Sequence, residues 1–92
     1  MEVLKMTDLR TQVEQRMLEK FNKTDLMSFN KKVFETHGTY FCVDQFSEKG
    51  SIILEFADNY EEAVNNIFWD GDSYPRAWGC DKIVEEMISV IG

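Results

Sequence analysis

Apolar residues recur at spacings of three and four in four stretches of this 92-residue chain, and two runs between them are rich in β-branched and aromatic residues. Met6, Leu9, Val13, Met17 and Phe21, with Arg10, Glu14 and Lys20 between them, predict an amphipathic first helix that starts near Thr7 or Asp8 and ends at Asn22 and Lys23. Thr24 is placed to cap a second helix carrying Leu26, Phe29 and Val33 on one face, with Gly38 just past its end. Residues 39–46 and 51–57, joined by Ser47-Glu48-Lys49-Gly50, predict a β-hairpin. In its second strand Ile52, Leu54 and Phe56 share one face, and Ile53 and Glu55 the other. In its first strand the faces are mixed: Tyr40, Cys42, Asp44 and Phe46 against Phe41, Val43 and Gln45.

Asp58 or Asn59 then caps a third helix with a stripe of Tyr60, Ala63, Val64, Ile67 and Phe68, and Glu61, Glu62, Asn65 and Asn66 opposite. This helix is expected to end at residues 69–71 and to lead into a loop through Pro75 and Gly79. A last helix, from about Asp81, turns Ile83, Val84, Met87, Ile88 and Ile91 inward and Glu85, Glu86 and Ser89 outward. The predicted order is α-α-β-β-α-α, an α+β class with the hairpin packed against helices. Two strands leave both hairpin edges unpaired. A short strand at residues 2–6, helices laid alongside, or a second copy of the chain would cover them.

Composition sets bounds on this picture. No repeat, low-complexity tract or linker divides residues 1–92, so the chain reads as a single domain. A chain of this length buries roughly 60–65% of the surface it exposes when unfolded, enough for one core. At 43% hydrophobic residues it is far from the composition of disordered chains. No apolar run is long enough for a membrane span and no export signal is evident, which predicts a cytoplasmic protein.

Charge changes the picture more. The formal net charge is −7, and it is unevenly divided: residues 1–37 hold seven cations and six anions, residues 38–92 three cations and eleven anions. Between residues 50 and 75 stand Glu55, Asp58, Glu61, Glu62, Asp70 and Asp72 with no Lys or Arg. Such a surface repels nucleic acid and attracts basic partners; its plainer role is solubility.

Candidate chemistry is sparse. Cys42 and Cys80 read as thiols of a reducing compartment, with a bridge between them as the alternative. Asp70-Gly71-Asp72 offers two closely spaced carboxylates, but as a calcium loop it would place Pro75 where the turn glycine belongs, so it reads as an acidic turn. His37 has no ligand pair at metal spacing and is expected at the carbonyl end of the second helix. No phosphate loop or nucleophile elbow is present, and no enzyme, cofactor or metal is expected. Phe68, Trp69, Tyr74 and Trp78 cluster beside Asp70, Asp72 and Arg76, either as a binding edge or as a satellite core pinned by Pro75.

In size, acidity and element order the chain resembles the small acidic proteins of phages and other mobile elements, some of which occupy DNA-binding clefts of restriction or CRISPR nucleases. The resemblance implies a non-enzymatic inhibitor that mimics DNA, with Glu55, Asp58, Glu61, Glu62, Asp70 and Asp72 standing in for phosphates on a basic protein partner. The alternative is an antitoxin or immunity protein for a basic toxin, with Trp69 and Tyr74 supplying affinity. A structural homodimer through the hairpin edge is the third reading.

Overall fold

The computed structural model describes residues 8–28, 31–45, 47 and 49–92. Over them the elements run α1 (Leu9–Leu18), β1 (Asn22–Ser28), β2 (Lys31–Thr36), β3 (Thr39–Gln45), β4 (Ile52–Ala57), α2 (Tyr60–Val64), β5 (Asp70–Tyr74), a 3-10 turn (Arg76–Trp78) and α3 (Gly79–Ile91). The five strands form one antiparallel sheet in sequence order. The class is α+β, but the order α-α-β-β-α-α does not hold. The expected second helix is a pair of strands, and the expected loop after the third helix is a fifth strand.

The reason for the first correction lies in β2. Val33 and Phe34 are adjacent and both fully buried, which requires side chains on opposite sides of the backbone. A strand buried on both faces does this; a single helical stripe does not. The turn that follows settles the pairing. His37 and Gly38 have φ of 50° and 81°, both positive, as in the two-residue hairpin turn whose twist matches that of its strands. His37 and Gly38 therefore join β2 to β3 instead of ending a helix. The Gly38 N–H donates to the Glu35 carboxylate at 3.0 Å. Thr24 and Leu26 lie in β1; Phe29 lies outside the described residues, as do Met6, Phe46 and the segment 2–6.

The hairpin stands where it was expected, with register from Tyr40↔Ala57 to Gln45↔Ile52. Its edges are not free: β2 covers one and β5 the other. One face of the sheet presents Phe34, Phe41, Val43, Ile52, Leu54, Phe56 and Tyr74 to Val13 and Met17 of α1 and to Ile83, Val84 and Met87 of α3, forming the main core. The inward set expected for α3 holds, with Ile88 and Ile91 partly buried at its margin. Asp8 caps α1, its carboxylate accepting the Thr11 N–H at 2.8 Å. Glu14, placed by its spacing among the polar positions, is instead 1% exposed. Its carboxylate accepts the Lys32 N–H at 3.0 Å and pairs with Arg10 at 3.2 Å, tying α1 to β2.

The opposite face explains the mixed pattern of β3, because it is covered too. Val33, Cys42 and Ala57 pack there under Ala63 of α2, with Tyr40, Val64 and Phe68 at the margin. Asn59 caps α2 through the Glu62 N–H at 2.9 Å. The helix stops at Val64, well short of residues 69–71, because Asn66 takes a left-handed conformation with φ of 63°. The stripe through Ile67 is broken there, and Ile67 is 54% exposed instead of core. Among the described residues no helix is long and apolar enough to cross a membrane.

Candidate functional site

The break after α2 has a chemical consequence. It brings the Asn66 side-chain oxygen onto the ammonium of Lys31, which also donates to Asp44 Oδ2 at 3.1 Å and Glu55 Oε1 at 3.1 Å. Lys31 is 3% exposed, and its ammonium lies 4.9 Å from the centre of the Phe68 ring. The cation that residues 50–75 lack is thus supplied by β2. Burial pushes the Glu55 carboxyl above its ordinary range, an effect partly offset by the Lys31 hydrogen bond. Glu55 is an internal group of this network and no simple surface carboxylate.

The other expected site residues separate. Asp58 and Glu61 are exposed and Glu62 is half-buried, on and just before α2. Asp70 and Asp72 are exposed on β5, opposite Phe56 and Leu54, so alternation turns them toward the side of the sheet that carries α1 and α3. Gly71 and Ser73 share the other side with Glu55 and Ile53. Because Asp70 lies opposite Phe56, it stands at the end of the sheet where Asp58 leaves β4. The six carboxylates therefore form no single face. They comprise one internal group, an acidic end around Asp58 and Asp70, and Asp72 farther along the edge strand.

The aromatic cluster divides as well. Tyr74 is 6% exposed and belongs to the main core; burial, with Asp72 and Glu86 adding, pushes its hydroxyl up to about 12. Trp69 is 62% exposed, its backbone N–H donating to the Phe56 carbonyl at 3.0 Å and its ring resting 6.2 Å from that of Phe56. Trp78 keeps to the Tyr74 side, its ring 6.1 Å from that of Tyr74 and 5.0 Å from the Lys82 ammonium. Arg76 is turned away from the acids, donating to the Gln45 side chain at 3.1 Å and the Gly50 carbonyl at 3.3 Å.

Two grooves are relevant. A large one of about 910 Å³ between α1 and α3 is lined by Gln12, Gln15, Arg16, Trp78, Gly79, Cys80 and Asp81. Its two charges neutralise each other in the Arg16–Asp81 pair, and burial raises the Cys80 thiol, which keeps it protonated and a poor nucleophile at neutral pH. A smaller groove of about 340 Å³ runs along β4 and β5, with Ile53, Glu55, Gly71 and Ser73 in its floor and Phe68, Trp69 and Asp70 as its wall. Cys42 lies buried under α2, its thiol pushed up to about 12 by desolvation. The two thiols are free and pack into different cores on opposite faces of the sheet, so a bridge between them would have to cross it. Among the described residues no group of three or more His, Cys, Asp or Glu side chains is placed to hold a metal ion.

Lys31 is the residue that sequence reasoning missed. The signal was a carboxylate, Glu55, set between Leu54 and Phe56 in a strand buried on both faces, with no cation nearby in sequence. Such a group requires a partner from another element. Comparison with protein-family models, with curated proteins and with solved structures finds no match.

Proposed function

We propose that this protein is a non-enzymatic inhibitor whose acidic end docks on a basic, nucleic-acid-binding cleft of a host defence nuclease, in the cytoplasm of a cell carrying a phage or mobile element. The observation that supports this reading is the exposed set Asp58, Glu61, Asp70 and Asp72, gathered around one end and edge of the sheet without a cation between residues 50 and 75. Carboxylates so placed steer a basic partner and compete for the Lys and Arg that hold phosphates. The carboxylates are moderate in number, and Trp69 stands beside them as a large exposed anchor.

That anchor favours a second reading, an antitoxin or immunity protein held tightly to one basic toxin, since Trp dominates interface hot spots. A homodimer through the hairpin edge is disfavoured. β2 and β5 occupy both edges, and self-pairing along β5 would bring Asp70 and Asp72 of two copies together.

The test is a tagged pull-down from host lysate at low and high salt, with wild type and with the combined change Asp58→Asn, Glu61→Gln, Asp70→Asn and Asp72→Asn. Capture of a nuclease that weakens with salt and with neutralisation, while circular dichroism stays unchanged, supports the inhibitor. Capture indifferent to both removes the charge-mimic reading.

A further inference from the structure

The Lys31 network has one cation and two carboxylates, so it carries a surplus negative charge in a half-buried place. Lys31 sits at 3.1 Å from both Asp44 and Glu55. Asp44, opposite Ile53, does not line the small groove, whereas Glu55, with 15% of its side chain exposed, forms part of its floor. The surplus charge is therefore presented to the groove.

The walls suit the same guest. Phe68 already receives the Lys31 ammonium on its inner side, which shows that this ring accepts a cation at contact distance. Trp69 adds an exposed indole on the same wall. The floor opposite Glu55 is open because residue 71 is glycine: a Cβ there would stand 3.1 Å from the Leu54 carbonyl oxygen and 3.9 Å from Glu55 Cγ. A groove of about 340 Å³ admits one long side chain and little more. A planar guanidinium fits this combination best, because it stacks on an indole while donating to a carboxylate.

We infer that the groove between Trp69 and Ile53 is a receptor for a single arginine side chain of the partner, with Glu55 as its counter-ion and Trp69 as its stacking wall. The inference rests on the reading of a basic protein partner and deepens it. The broad acidic end attracts the partner, and the groove recognises one residue of it. Glu55, desolvated and raised in pKa, regains a full counter-charge when the guanidinium enters.

The test is an NMR titration of the full chain with a blocked Gly-Ser-Arg-Ser-Gly peptide, beside the same peptide with citrulline, which keeps the shape and lacks the charge. The arginine peptide is expected to move the Trp69 indole N–H and the amides of Ile53, Glu55, Gly71 and Ser73, leaving the Trp78 indole in place as an internal control. Glu55→Gln is expected to weaken it by roughly tenfold, the size of one charged hydrogen bond, and Trp69→Ala by roughly three- to tenfold through loss of the stacked cation–π contact. Equal binding of the citrulline peptide, or shifts confined to the Trp78 groove, overturns the inference. Shifts confined to α2 and Asp58 also overturn it while leaving the basic-partner reading intact. Failure of a polyarginine peptide to bind anywhere, even at low salt, removes both.

Discussion

The two faces of the sheet are built by different physics. Under α1 and α3 the packing is dry and large: Phe34 and Phe41 stack with ring centres 5.2 Å apart, and Val13, Met17, Leu54, Ile83 and Met87 fill the space around them. Under α2 the buried apolar residues are small, Val33, Cys42, Ala57 and Ala63, and the rest of the face is occupied by the hydrogen-bonded Lys31 network and an open groove. One face buries the apolar area that holds the chain folded. The other gives part of that area up to hydrogen-bonded charged groups and an open groove.

The sharpest way to break this comparison is to cut each face in turn. Phe41→Ala is expected to cost about 3–5 kcal/mol, since a fully buried ring leaves a cavity that its neighbours fill only in part. Urea denaturation checks it. A loss below that of an ordinary surface change would mean that the main core lies elsewhere.

Removing the cation from the opposite face is the next largest effect. Lys31→Met leaves Asp44 and Glu55 partly buried without their partner and is expected to cost roughly 2–4 kcal/mol, with part of the loss recovered when Glu55→Gln is added. If the double variant is no more stable than the single one, Glu55 is not held by Lys31.

A smaller effect separates the faces by pH. Asp8, capping α1, has its pKa lowered mainly by the Thr11 N–H, so its contribution is present above the ordinary carboxylate pKa and is lost as pH falls through the lowered one. Asp8→Ala is expected to cost about 1 kcal/mol at neutral pH and less in acid. Glu55 runs the other way. With its folded pKa raised by burial, ionisation subtracts stability as pH rises from the ordinary value through the raised one. The stability of Glu55→Gln relative to wild type should therefore improve as pH rises across that window. Melts of both variants between acid and neutral pH test the opposite signs, and parallel slopes would contradict the assigned environments.

The smallest expected effect on stability belongs to Trp69. Exposed at the groove, Trp69→Ala should change stability by no more than roughly 0.5 kcal/mol. Tyr74→Ala, in the main core, should cost several times that, roughly 3 kcal/mol or more. If both lose stability alike, Trp69 is core packing and the proposed arginine groove loses its wall.

Much of the fold was legible wherever one periodicity had no rival. The start of α1 near Asp8, the hairpin of β3 and β4, and the inward stripe of α3 follow from spacing and turn residues alone, whereas α1 stops at Leu18, short of the expected Asn22 and Lys23, where β1 begins. Residues 24–36 were different. Leu26, Phe29 and Val33 satisfy a helical spacing while Val33 and Phe34 satisfy a strand buried on both sides, and local propensity does not separate the two. At residues 67–74 the apolar stripe continued past the point where Asn66 turns left-handed, which hid both the end of α2 and the start of β5.

The sequence by itself determined the acidity, the single domain and the α+β class, because composition and local pattern suffice for these. Tertiary structure alone decided that β2 and β5 close the hairpin edges, that Tyr74 is core while Trp69 is surface, and that Lys31 meets Glu55. Strand pairing and ion pairing join residues distant in the chain. Their free energy comes from desolvation and hydrogen bonds that exist only once the sheet has formed, and no local spacing records them.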